Sequence, residues 1–386
     1  MKNNRTFLEK LLDGAEVKWM PLDEVANIAN NARKPVKSSL RISGNIPYYG
    51  ANNIQDYVEG YTHDGEFVLI AEDGSASLEN YSIQWAVGKF WANNHVHVVN
   101  GKEKLNNRFL YHYLTNMNFI PFLAGKERAK LTKAKLQQIP IPIPPLPVQT
   151  EIVKILDALT ALTSELTSEL ILRRKQYEYY REKLLSEEEL GKVGFEWRSL
   201  GEICKKVSSG GTPLSTKDEY YNGNIPWLRT QEVQFNEIWD TEVKITQDGL
   251  NNSSAKWIPE NCIIVAISGA TAGRSAINKI ALTTNQHCCN LQIAHEYANY
   301  RYVFHWVCKE YEKLKSLGQG ARADLNSGII KNYPIALPPL EEQQRIVSIL
   351  DKFETLTNSI TEGLPLAIEQ SQKRYEYYRE LLLNFS

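Results

Sequence analysis

The strongest constraint on this chain is that it is written twice. The phrase RRKQYEYYREKLL at 173–185 returns as QKRYEYYRELLL at 372–383, with Tyr177 and Tyr375 198 residues apart. That gap is far too long for a stacked solenoid unit and long enough to hold a whole domain. Other phrases recur in the same order at a slowly drifting offset. GNIPYY from Gly44 matches GNIPWL from Gly223, and FVLIAEDGSA from Phe67 matches CIIVAISGAT from Cys262. NNHVHV from Asn93 matches NQHCCN from Asn285, and RFLYHYL from Arg108 matches RYVFHWV from Arg301. IPPLPVQTEIVKILD, ending at Asp157, matches ALPPLEEQQRIVSILD, ending at Asp351. The chain is two diverged copies of one unit.

Each unit reads as a mixed globular part followed by a long helix. FVLIA and CIIVAI are short apolar runs ending in turn residues, which suits buried strands. RFLYHYL and RYVFHWV have helical spacing, and the Pro-rich stretches 140–147 and 334–339 are expected to stop any preceding element and mark domain edges. Beyond them Ile152, Ile155, Leu159, Leu162 and Leu166 step by 3 and 4, and the stripe resumes at Leu170, Arg173, Tyr177, Tyr180 and Leu184. The second copy repeats it from Ile346 to Ile360 and from Ile368 to Leu382. This is a coiled-coil stripe with a stutter. A helix of about 35 residues spans roughly 50 Å, and two such helices cover each other's apolar face. The stutter holds a smaller repeat, TSEL-TSEL at 163–170, which becomes three tetrads, TNSI-TEGL-PLAI, at 357–368. Gly363 and Pro365 should bend or locally break the second helix. FLEKLL at 7–12 echoes YREKLL at 180–185, each leading into a tryptophan (Trp19, Trp197), so the N-terminal segment is expected beside the end of the C-terminal helix.

Together these features define an α+β protein of two globular domains and two long coiled-coil helices. The boundaries are 1–146, 147–190, 191–338 and 339–386. The doubled Pro-Pro-Leu-x-x-Gln…Ile-Val-x-x-Leu-Asp phrase, the YEYYRE helix ends and the TSEL tetrads resemble the DNA specificity subunit of Type I restriction–modification systems, over essentially the whole chain. The resemblance implies two target-recognition domains, separated by two long antiparallel coiled-coil helices, that each read one half of a split, asymmetric DNA site. It also implies helices that bind two methyltransferase subunits, and a helix length, tetrads included, that sets the gap between half-sites. Restriction and translocase subunits would join the complex, with S-adenosylmethionine, ATP and Mg held by the partners and no cofactor in this chain. A non-DNA coiled-coil scaffold presenting two protein-binding domains is the rival reading.

The composition suits a soluble protein: 42% hydrophobic, 23% charged and net charge −1, with no apolar run approaching a membrane span and no signal-peptide core. Five cysteines, two of them adjacent, argue against a disulfide framework and for a reducing, cytoplasmic setting. The near-neutral charge leaves room only for a local basic patch. The best one is KERAKLTKAK, with Lys126, Arg128, Lys130, Lys133 and Lys135, either on a DNA backbone or on a solvated face. Its counterpart, GQGARADLNSG, carries only Arg322. For base edges the candidates are Arg229, Gln231 and Gln234 in WLRTQEVQ and Asn52, Asn53 and Gln55 in YGANNIQ, since Arg suits guanine and Asn or Gln suits adenine. For partner docking they are the outward Tyr179 and Arg181 with their copies Tyr377 and Arg379.

Catalysis has weak support. GATAGRS at 269–275 is a near miss to a P-loop, best read as a strand followed by a glycine turn, or as a loop placing Arg274 on phosphate. His305-x-x-Cys308 has metal-like spacing, but buried core residues are the preferred reading and no metal site is assigned. Glu72-Asp73 has no carboxylate partner in the second unit and suits a turn. His95 and His287 recur after an Asn-rich turn, which suggests a shared structural role.

Overall fold

A computed structural model describes residues 6–125, 129–319, 324–359 and 361–385. The principal helices are α1 (Asn107–Thr115), α2 (Leu146–Leu184), α3 (Tyr300–Lys309), α4 (Leu340–Asn358) and α5 (Gly363–Leu383). The chain forms two compact units, Met1–Thr167 with Ala367–Ser386, and Ser168–Leu366. Each unit therefore takes the start of one long helix and the end of the other.

Unit 1 holds a six-stranded, mostly antiparallel sheet in the order Ala26–Ile28, Val96–Gly101, His63–Ala71, Ile83–Ala92, Ser43–Tyr49, Ile54–Val58. The FVLIA run is its buried centre, with Val68 to Ala71 fully covered. Unit 2 has a five-stranded sheet around Ile263–Ala266, fully buried, and a four-stranded sheet around Tyr221–Leu228. Strands and helices are mixed in both, the α+β character expected.

The Pro-rich stretches do not end in coil. Pro140–Ile143 is a strand paired with Lys18–Pro21, and Pro334–Leu337 pairs with Glu196–Ser199, placing Trp19 opposite Pro142 and Trp197 opposite Ala336. Prolines two residues apart turn their missing donors to the same side, and a two-stranded ribbon leaves one side unpaired. Leu146 and Pro147 already belong to α2, where the first turn tolerates proline.

The repeated phrases have physical jobs. Gln149 is fully buried; its Oε1 accepts from the Asn106 N–H at 2.9 Å and its Nε2 donates to the Lys104 and Pro144 carbonyls at 2.9 and 2.8 Å. Gln343 does the same with Asn299 (2.9 Å), Pro338 (2.9 Å) and Tyr297 (3.5 Å). Asn106 and Asn299 in turn cap α1 and α3, so one glutamine welds each long helix to a domain helix. The Asp that closes the phrase completes the joint. Asp157 accepts from Arg108 and His112, each at 2.8 Å, and Asp351 from Arg301 and His305 at 2.8 and 2.7 Å.

The first helical segment, Phe7–Leu12, is closed by a capping box between Thr6 and Glu9. By position before the strands Lys18–Pro21 and Glu196–Ser199 its counterpart is Glu187–Gly191, capped by Ser186, and not the end of α2 that the FLEKLL echo suggests. The expected neighbour is nonetheless there: Leu8, Leu382 and Leu383 share one apolar core with Leu22, Phe109, Ile152 and Leu156.

The long helices differ. α2 runs unbroken for 39 residues, about 58 Å, whereas its copy stops at Asn358 and restarts at Gly363, as Gly363 and Pro365 foretold. Within unit 1, α2 and α5 lie side by side, with Thr163 Oγ1 2.8 Å from Ser371 Oγ. Within unit 2, Tyr180 stacks on Phe353 and Arg174 reaches the Thr357 carbonyl.

Candidate nucleic-acid interface

In unit 1 three loops come together. Asn52 ties loop 50–53 to loop 72–76, donating to the Gly74 carbonyl and accepting from the Ala76 N–H, both at 2.7 Å. Loop 72–76 holds the Lys130–Leu131 segment through Leu131 N–H to the Glu72 carbonyl (2.7 Å), and Ala124 and Lys130 exchange backbone bonds at 2.8 Å. Unit 2 repeats the scaffold. Thr271 Oγ1 donates to the Thr230 carbonyl at 2.8 Å, the Leu325 N–H donates to the Ile267 carbonyl at 2.8 Å, and Gln319 pairs with Asp324. Gly74 and Gly269 turn at equivalent points with φ of 70° and 77°, a conformation that costs a side chain with Cβ dearly.

The side chains on these matched loops are unlike. In unit 2, Arg229, Gln231, Gln234 and Arg274 form one polar chain. Arg229 Nη2 donates to Glu242 at 2.8 Å and lies 2.8 Å from the Gln231 amide, Gln234 Nε2 donates to the Gln231 carbonyl at 2.7 Å, and Gln234 Oε1 accepts from Arg274. Beneath them Glu232 accepts from the N–H groups of Arg229 and Glu242, and burial pushes its carboxyl up. In unit 1, Asn52 is spent on the neighbouring loop, while Asn53 stays exposed, its side-chain oxygen accepting from the Ile54 N–H. Lys130 pairs with Glu72 at 3.0 Å, and Lys133 and Lys135 are exposed on the short helix Lys133–Gln137. Lys126, Arg128 and Arg322 lie outside the described residues.

Sequence reasoning missed two contributors. Arg33 spans Glu72 and the Val96 carbonyl, both at 2.7 Å. Burial alone would push the Glu72 carboxyl up; hydrogen bonds from Arg33 and Lys130 outweigh it and hold it below the usual carboxylate range. Thr212 bonds Gln286 at the matching place in unit 2. Neither residue carries a motif; only the Asn-rich turns at 93–95 and 285–287 pointed there. Those turns explain the recurring histidines. Asn93 and Asn285 accept from the His95 and His287 N–H groups, and the carbonyls of these histidines accept from Glu72 and Ile267. The Asp73 carboxylate pairs with His95. The matched loops thus present one backbone frame carrying two polar surfaces.

The family described as the Type I restriction modification DNA specificity domain matches residues 15–173 and again 192–370. This chain belongs to that family. It is 63% identical to a putative type I restriction enzyme specificity subunit of Haemophilus influenzae, over the full length of both. It is 36% identical to the EcoR124I/EcoR124II specificity subunit of Escherichia coli, over 98% of this chain and 97% of that one. Its fold is that of the S subunit of a type I restriction–modification system from M. genitalium, with a TM-score of 0.64 at 14% identity, covering 99% and 97% of the two chains. The chain is a specificity subunit, not the catalytic component.

Two further clusters of this specificity subunit matter. His305, Asp351 and Glu354 bring potential metal-ligand atoms within 4.8 Å of one another, but Arg301 stands among them, 2.8 Å from Asp351 and 2.5 Å from Glu354. His305 turns to Tyr177 (3.1 Å) and Asp351, and Cys308 to Ser275 (3.3 Å), so the metal-like spacing does not place their ligand atoms together. On the helix ends, Tyr179 and Tyr377 stand 58% and 62% exposed. Arg181 and Arg379, expected to face outward, instead lie over the Tyr177 and Tyr375 rings at 5.4 and 5.5 Å. Cation–π contact on a half-buried ring outcompetes full hydration there.

Proposed function

We propose that this specificity subunit reads an asymmetric, two-part DNA sequence, with the loop cluster of each unit facing one half. One observation carries this reading: the same three backbone loops are assembled twice, with unlike polar side chains. A shared frame suits one mode of approach to the duplex, and different side chains suit different bases. Arg229 and Arg274 offer planar donors to guanine or phosphate in one half; Asn53, Lys130, Lys133 and Lys135 offer an amide and backbone cations in the other. Two equal tyrosine faces, at Tyr179 and Tyr377, would seat two modification methyltransferase subunits, which hold S-adenosylmethionine and flip the target adenine. ATP and Mg belong to the restriction subunits. The tetrads of α2 would set the gap between half-sites. Among the described residues no helix is long and apolar enough to cross a membrane.

The test is single-molecule sequencing for N6-methyladenine in a host expressing the chain with its modification subunit. Replacing Arg229, Gln234 and Arg274 by alanine is expected to abolish or relax one half of a split motif and leave the other half unchanged. Absence of any chain-dependent motif from a soluble complex would refute the DNA reading in favour of a protein scaffold. A change in both halves would refute the assignment of one half to each unit.

A further inference from the structure

The two helical rods differ in sequence length by one tetrad but not in helix. The copies run at an offset of 194 residues through Thr163/Thr357 and Ser164/Asn358, and at 198 from Leu170/Ile368 onward. Carrying the larger offset back matches Glu165 to Gly363. The four residues without a counterpart are then 359–362, the interval between the end of α4 at Asn358 and the start of α5 at Gly363. α4 has 19 residues and α5 has 21, against 39 in α2.

Local chemistry keeps Ser359, Thr361 and Glu362 out of the helix. Ser359 is extended (φ −68°, ψ 131°), and its Oγ accepts from the Thr361 and Glu362 N–H groups at 3.3 and 3.2 Å. Gly363 has φ +82°, and a Cβ there would fall 2.6 Å from the Thr355 carbonyl oxygen and 2.8 Å from that of Leu356, so only glycine fits. Pro365 is the third residue of α5, where its missing N–H has no intrahelical acceptor to lose. Its counterpart Thr167 sits inside α2 and bonds the Thr163 carbonyl at 2.8 Å. In an unbroken rod Pro365 would delete a bond and clash one turn back.

We infer that the extra tetrad of the second copy is looped out and silent, so that the half-site gap is set by the tetrads of α2 alone. This rests on the proposed role of helix length in spacing the half-sites. A tetrad in α2 adds about 6 Å to its rod, whereas the one at 359–362 would add none.

The experiment maps methylation motifs for the full chain with its modification subunit, in three variants. The first deletes Thr163–Leu166. The second deletes Ser359–Glu362 with Gly363→Ala and Pro365→Ala to close the helix. The third inserts a second copy of Ser359–Glu362 after Glu362, leaving α4 and α5 intact. The first is expected to change the spacer, and the second and third to keep the parent spacer. A spacer that shifts in the third variant overturns the inference, and it decides alone should the second fail to fold. An unchanged spacer in the first overturns it too, while the split motif leaves the specificity reading standing. Failure of that reading shows separately, as a parent chain with no motif at all.

Discussion

Replacing Gln149 by methionine keeps the volume and removes the polar side-chain atoms through which this residue ties α2 to its domain. It strands the Asn106 N–H and the Lys104 and Pro144 carbonyls in a site with no exposure at Gln149. An orphaned buried donor or acceptor costs about 1–3 kcal/mol, the carbonyls at the low end because each has a second lone pair. Three such groups sum to roughly 4 kcal/mol, offset by about 1 kcal/mol from burying an apolar side chain, leaving about 3 kcal/mol. The Asn106 cap on α1 loosens with it. Hydrogen exchange with mass spectrometry reads the effect locally: amides in 104–115 and 144–156 should exchange roughly a hundredfold faster, with unit 2 unaffected. Gln343→Met should cost less, since its contact to the Tyr297 carbonyl is already 3.5 Å long. Exposed Gln138→Met is the control, expected within about 0.5 kcal/mol of the parent. A Gln149→Met chain whose exchange rises less than fivefold would refute the idea that this glutamine is the weld.

Two other outcomes follow from the same geometry. Tyr179→Ala and Tyr377→Ala should leave the melting temperature of the isolated chain within a degree or two. Native mass spectrometry should then count one modification subunit bound to each single variant and none to the double; two bound to the double would remove these tyrosines from the interface. The second concerns acid. Burial holds the His112 and His305 imidazoles below their usual range, and burial of Asp157 and Asp351 is outweighed by hydrogen bonds from Arg108, His112, Arg301 and His305, holding both carboxyls low. Groups depressed on folding stabilise fully above their unfolded pKa and lose that contribution as pH falls. The contribution of these four groups to urea midpoints should therefore be level above about pH 7, decline as pH falls through 6.5 and fall again below about 4, while Glu354, whose carboxyl burial pushes up to about 7, works against the first decline. Asp157→Asn with Asp351→Asn should flatten the second decline, and an unchanged acid limb would discount these carboxylates.

Much of the architecture was legible because a repeat carries its own control. Phrases that returned in order, such as the Gln149 and Gln343 segments, turned out to be joints rather than linkers, and the strands at Phe67 and Cys262 lie where their β-branched runs put them. The break at Gly363 was legible for the same reason: glycine and proline constrain backbone directly. Side-chain destinations were not. Arg181 reads as outward from helical spacing, yet a neighbouring ring claims it. Asn52 reads as a base contact, yet both ends of its amide are taken by a loop more than twenty residues away. Arg33 had no visible role until folding brought Glu72 and Val96 beside it. The contacts of Asn52 and Arg33 depend on long-range closure, which local pattern does not encode.

The composition of unit 1 from residues at both extremes of the chain sets an order of events during synthesis. Ile152 and Leu156 belong to a core that also needs Leu382 and Leu383. Translation at about 5–20 residues per second leaves roughly 10–40 seconds between those two groups of residues. All of unit 2 emerges in that interval and can close first. The domain that starts earliest is finished last, and until then it shows an apolar seam on α2 that a chaperone, or a partner helix arriving early, would find open.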